Sequence, residues 1–154
     1  MSMIIHNPSV VYAAKPEPLL IHLINCEVTH EFAGSYNQST NIIEIISDYI
    51  LTFIQRGEVT TSAALLSLLY IRRAKGAINV TTDSVDVDLR IFLGAIIVAS
   101  KFLNDVVMRN WQWSACAGIF TVKSINTIER EFLDILDWNL NFTQSELLIE
   151  CRIR

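Results

Sequence analysis

The sequence predicts an all-α domain built around one buried central helix, and three observations carry that prediction. The first is Asp88–Asp105 (DLRIFLGAIIVASKFLND), in which Ile91–Ser100 is an apolar run with charges only beyond its ends. Such a run falls short of the ~20 residues that span a bilayer, and a helix apolar on every side belongs inside a bundle. The second is that the flanking segments repeat apolar residues at three- and four-residue spacing, the helical period. The third is that no segment carries a strand signal. At 154 residues and 51% hydrophobic content, the chain suits one domain with a sizeable core.

Residues 1–18 hold all three prolines, Pro8, Pro16 and Pro18, and little periodicity, which predicts an extended arm. Leu19–Phe32 then reads as a short helix with Leu19, Leu20, Leu23, Ile24 and Val28 on its apolar side, and Gly34–Thr40 as a loop. Thr40 or Asn41 can cap a second helix over Ile42–Gln55, whose Ile42, Ile45, Ile46, Tyr49, Ile50 and Phe53 share a face. Arg56-Gly57 closes it with a cation and a glycine past the end. A third helix over Ser62–Lys75 repeats the pattern and ends on Arg72, Arg73 and Lys75 before Gly76. After a loop at Ile78–Asp83, Ser84 or Asp86 can cap the central helix, with Leu89–Leu103 as its buried part. Lys101 stands where that helix surfaces, and Asp105 one turn further on.

Beyond Val106–Trp113 a short apolar helix is expected around Ser114–Phe120. Thr121 can cap a fifth long helix, in which Ile125, Ile128, Phe132, Ile135 and Leu136 keep helical spacing while Glu129, Arg130 and Asp134 lie to the sides. Ser145–Ile153 can form a last short helix.

Charge and motif content narrow the function classes. Twelve Lys and Arg against sixteen Asp and Glu give a net charge of −4 without any long basic block, so the footprint of a nucleic-acid binder is missing and protein partners are expected. No nucleotide-binding glycine loop, nucleophile elbow, zinc-protease helix or C-x-x-C occurs. The odd, widely spaced Cys26, Cys116 and Cys151 argue for buried thiols in a reducing compartment, and no signal peptide or anchor is read, so a cytoplasmic or nuclear protein without membrane partners is expected. His22, Cys26 and His30 recur every four residues and would share a helix face suited to zinc. Tridentate sites usually draw on more than one element, so ordinary side chains are the reading adopted: no metal and no cofactor.

Arg90-Ile91-Phe92-Leu93-Gly94, Ala99-Ser100-Lys101-Phe102-Leu103-Asn104-Asp105 and Ile128-Glu129-Arg130-Glu131-Phe132-Leu133, ending in Leu136-Asp137-Trp138-Asn139-Leu140, resemble the cyclin box. They are most similar to the fungal PCL-type (Pho-type) cyclins and to relatives of cyclin Y. The resemblance covers about residues 40–142 and implies a single five-helix cyclin box around a central helix. It divides the chain into an N-terminal arm and short helix (1–40), the box (41–142) and a C-terminal helical segment (143–154). It also implies a non-catalytic regulatory subunit that binds and activates a cyclin-dependent protein kinase, with kinase substrates as further partners.

Carried over residue by residue, Lys101 matches the cyclin-box lysine and Glu129 the cyclin-box glutamate, the pair that faces the kinase in the family. Both are expected at the surface. Phe102, Leu103 and Val106 flank them and are expected to divide between the kinase footprint and the core, with core packing for at least half. Asp105 is expected to meet an arginine of the kinase and to support activity without phosphorylation of its activation loop. The first box helix departs from substrate-docking cyclins: Ile42-Ile43-Glu44-Ile45-Ile46 stands in place of a Met-Arg-Ala-Ile-Leu-like segment. A second box does not fit in the twelve residues after Phe142, so a single-box protein or a fragment is expected. Two alternatives remain at this point: a cyclin-fold adaptor that does not activate a kinase, and a transcription-factor module of the TFIIB kind.

Overall fold

A computed structural model gives the fold, and the structure describes residue 16 and residues 18–29, 40–78 and 85–151. Among these, seven helices and no strand are present: α1 (Pro18–Thr29), α2 (Thr40–Arg56), α3 (Thr61–Ala77), α4 (Val85–Leu103), α5 (Asn110–Ala117), α6 (Val122–Ile135) and α7 (Gln144–Cys151). The N-terminal arm, the continuation of the first helix to Phe32, the loop before Thr40 and the cap candidate Ser84 lie outside the described residues.

The central helix is α4. Every residue from Ile91 to Ser100 is buried, as the apolar run requires. It packs chiefly on α3 and α6, with α1 also against it, so α2–α6 form the five-helix bundle around it. Phe92 meets Phe53 of α2 edge-on at 5.6 Å between ring centres, and Phe53 stacks on Trp113 of α5 at 5.7 Å, joining three helices through aromatic area. On the opposite side Gly94 lets α6 approach closely: a Cβ there would stand 2.7 Å from Cβ and Cγ of Phe132.

Local chemistry sets the helix ends. Pro18 opens α1, where its fixed φ and missing N–H cost nothing. Thr60 caps α3 by accepting from Ala63 N at 3.2 Å, and Thr121 caps α6 by accepting from Ser124 N at 3.1 Å. Asp86 does not cap α4; it lies within the first turn and accepts from Arg90 Nε at 2.9 Å.

Three expectations need correction. The helix expected at Ser114–Phe120 begins earlier, at Asn110, because Gln112 reaches back to accept from Arg109 N at 2.8 Å, and it ends at Gly118, whose φ is +74°. Trp113 is therefore a buried helical residue. The left-handed residue after α2 is Glu58, at φ +48°, not Gly57. Gly57 instead leaves room for the Trp113 ring, since a Cβ on it would come within 2.9 Å of Cζ3. Finally, α4 stops at Leu103, so Asp105 sits in the bend beyond the helix, not on its last turn.

The flanking helices are tied to one turn of α3. Arg72 donates through Nε to Glu27 of α1 at 3.0 Å, and Lys75 donates to the Glu27 carbonyl. Arg73 donates to Glu146 of α7 at 3.1 Å and to the Asn139 carbonyl at 3.2 Å, while Tyr70 donates its hydroxyl to the Leu140 carbonyl at 2.7 Å. No helix among the described residues is long and apolar enough to cross a membrane.

Candidate protein-binding site at the end of the central helix

Lys101 lies in the last turn of α4, where a cation gains from the helix dipole. From there α4 and α6 run in opposite senses: Gly94 meets Phe132, and Lys101 meets Glu129. Ile128 and Phe132 turn into the core, which leaves Glu129 on the flank of α6 facing the end of α4.

The two charges form one ion pair, half-buried where a surface position was expected. Lys101 Nζ donates to Glu129 Oε1 at 2.7 Å, with side chains only 28% and 19% exposed. Asn110, the first residue of α5, joins them: its Oδ1 accepts from Lys101 Nζ at 2.6 Å, and its Nδ2 donates to Glu129 Oε2 at 2.7 Å. The same Nδ2 donates to Asn126 Oδ1 at 2.6 Å. The sequence reading missed Asn110 and Asn126, since a lone polar residue beside a loop carries no periodic signal. Gln112 fixes the start of α5 by accepting from Arg109 N, but arginine is no capping residue, so Arg-x-x-Gln gave no sequence signal for it.

The apolar candidates divide. Leu103 packs against the core. Phe102 is 44% exposed and touches Phe142 edge-on at 6.1 Å, and Val106 is 92% exposed. Only one of the three therefore packs in the core, because the chain leaves the helix after Leu103 and carries Val106 into solvent. Asp105, Val106 and Val107, which follow the end of α4 in the chain, are all exposed. Exposed apolar side chains gathered at one place are a mark of interaction surfaces.

Of the candidate metal face, His22 and Cys26 fall among the described residues. His22 is exposed with its Nε2 3.5 Å from Cys26 Sγ, and His30 lies outside the described residues. No group of three ligands occurs among the described residues. Burial pushes the Cys116 thiol pKa up, which makes it a poor nucleophile. Burial likewise raises the pKa of Tyr49 to about 12, and its hydroxyl donates to the Ala117 carbonyl at 2.8 Å, tying α2 to α5.

Comparison with known families identifies the domain. Residues 22–141 match the family described as Cyclin, N-terminal domain. The chain belongs to the cyclin family. Its cyclin domain is similar to PHO85 cyclin-9 of Saccharomyces cerevisiae, at 30% identity over 105 residues that cover 67% of this chain and 34% of that protein. PHO85 cyclin-2 of the same yeast is 29% identical over 105 residues, covering 67% and 34% of the two chains. PHO85 cyclin-1 is 30% identical over 107 residues, covering 66% and 38%. The chain thus spans about a third of the length of these curated relatives. The all-α cyclin fold and the likeness to PCL-type cyclins agree with the resemblance of the three motifs.

Proposed function

We propose that this cyclin binds and activates a cyclin-dependent protein kinase of the PHO85 class, as a non-catalytic regulatory subunit with the box over 41–142. The observation that carries the proposal is the Lys101–Glu129 pair held at the exposed end of α4, with Phe102, Asp105 and Val106 around it. Two of the three Lys101 N–H groups are engaged by Asn110 and Glu129, which leaves a donor for a partner. Each Glu129 oxygen accepts one hydrogen bond and retains further capacity. The site can thus offer a donor and an acceptor side by side while Phe102 and Val106 supply apolar area. Support also comes from the relatives, which are named as PHO85 cyclins.

The test is to titrate the purified chain into the PHO85 kinase of Saccharomyces cerevisiae. Saturable complex formation with a rise in phosphorylation of a generic peptide is the expected result. A complex without gained activity would favour the adaptor, and retention on DNA without kinase binding would favour the transcription-factor module. Kinase substrates, and a working place in cytoplasm or nucleus, are part of the same proposal and are addressed by what co-purifies with the active complex.

A further inference from the structure

The carboxamide of Asn110 has a chemistry that neither charged neighbour can supply. It accepts from Lys101 at 2.6 Å and donates to Glu129 at 2.7 Å, so it bridges both ends of the ion pair without adding charge. The side chain is not needed to start its own helix, because Gln112 already satisfies the N–H of Arg109. Asn126 fixes the orientation of the amide by accepting from Nδ2 at 2.6 Å. The bridge also closes the segment that leaves α4 and returns at α5, which carries the exposed Asp105 and Val106. Lys and Glu are long, rotamer-rich side chains, and ordering such groups during association weakens binding.

We propose that Asn110 is a positioning residue of the kinase-facing surface: it holds Lys101, Glu129 and the 104–109 segment in the binding geometry before the partner arrives. This rests on the reading of Lys101 and Glu129 as kinase contacts. A carboxylate at position 110 would still accept from Lys101 but would stand at hydrogen-bond distance from Glu129 Oε2, and like charges there repel. Neutralising position 129 removes that repulsion. The Glu129→Gln amide can then donate to the new carboxylate, and Asn126 can turn its own amide to donate as well.

The experiment measures dissociation constants for the PHO85 kinase of Saccharomyces cerevisiae with Asn110→Asp in two backgrounds, wild type and Glu129→Gln. Asn110→Asp is expected to weaken binding about tenfold or more in the wild-type background, and less than about twofold in the Glu129→Gln background. Equal losses in both backgrounds, or none in the wild type, overturn the proposal. Asn110→Ala keeps a good residue for a first helical position and is expected to weaken binding about five- to tenfold with melting little changed. Lys101→Ala is measured alongside. If it binds as well as wild type, the kinase-contact reading fails and the proposal with it; if it binds poorly while Asn110→Ala binds normally, only the proposal fails.

Discussion

Replacing Gly94 by alanine tests the close approach of α4 and α6. The added Cβ would meet Cβ and Cγ of Phe132 at 2.7 Å and Cδ2 at 2.9 Å. Ordinary contact begins at 3.4 Å, so the nearest pair is about 0.7 Å too close. Phe132 cannot swing aside, because the atoms in question lie next to its backbone and the ring is buried. The two helices must therefore separate. A gap of that size forfeits on the order of a quarter to a half of the dispersion energy of the contacts it opens. Overpacking of this kind costs about 1–3 kcal/mol. Alanine in a helix interior returns roughly 1 kcal/mol relative to glycine, so the net loss is about 0–2 kcal/mol. Gly76, also in a helix, has nothing within 4 Å of the same added atom. Gly76→Ala should therefore show the propensity gain alone, at most about 1 kcal/mol and less near a helix end. Thermal melting followed by far-ultraviolet circular dichroism separates the two, since 1 kcal/mol moves Tm by about 2–4 °C in a domain of this size. Gly94→Leu should fall further, by about 3 kcal/mol or more. Equal stabilisation by both alanine substitutions would refute the close packing of Gly94 on Phe132.

Lys101→Ala and Glu129→Ala should each weaken binding of the PHO85 kinase tenfold or more, and each should also lower stability by about 1 kcal/mol, because the remaining partner is left in a half-buried network. Asp105→Asn, which keeps size and removes charge, should lower the catalytic rate of kinase with an unphosphorylated activation loop more than it lowers binding; an unchanged rate would remove Asp105 from the site. Tyr49 has its pKa raised to about 12 in the fold from 10.0, so its contribution is complete below pH 10 and is lost as pH rises toward 12. An alkaline melting series should show that loss, and Tyr49→Phe should reduce it but not abolish it, because burial raises the Tyr70 pKa as well. Glu58→Gly should stabilise the chain by up to about 1 kcal/mol, because φ +48° is costly for a side chain and free for glycine.

The parts of this fold that were legible in the sequence are those set by periodic burial. Ile91–Ser100 announces the central helix because its surroundings are apolar on every side, and Ile125, Ile128 and Phe132 announce α6 by their spacing. Lys101 was placed correctly because it follows the buried run. What escaped depends on single hydrogen bonds or single dihedral angles. The start of α5 is fixed by one contact from Gln112, and the left-handed turn after α2 falls on Glu58 because Gly57 is needed against Trp113. Lys101 and Glu129 are 28 residues apart. Their direct bond therefore depends on the α4–α6 approach, which no local pattern encodes.

The turn of α3 that holds Arg72, Arg73 and Lys75 has an electrostatic consequence for anyone trimming the chain. Its three cations face carboxylates lent from elsewhere, Glu27 from α1 and Glu146 from α7. A version cut back to the box alone would strip both acids away and leave a concentrated positive patch on a helix end. The minimal box is therefore expected to hold polyanions more strongly than the longer chain, and nucleic-acid retention by such a truncate would need comparison with the longer chain.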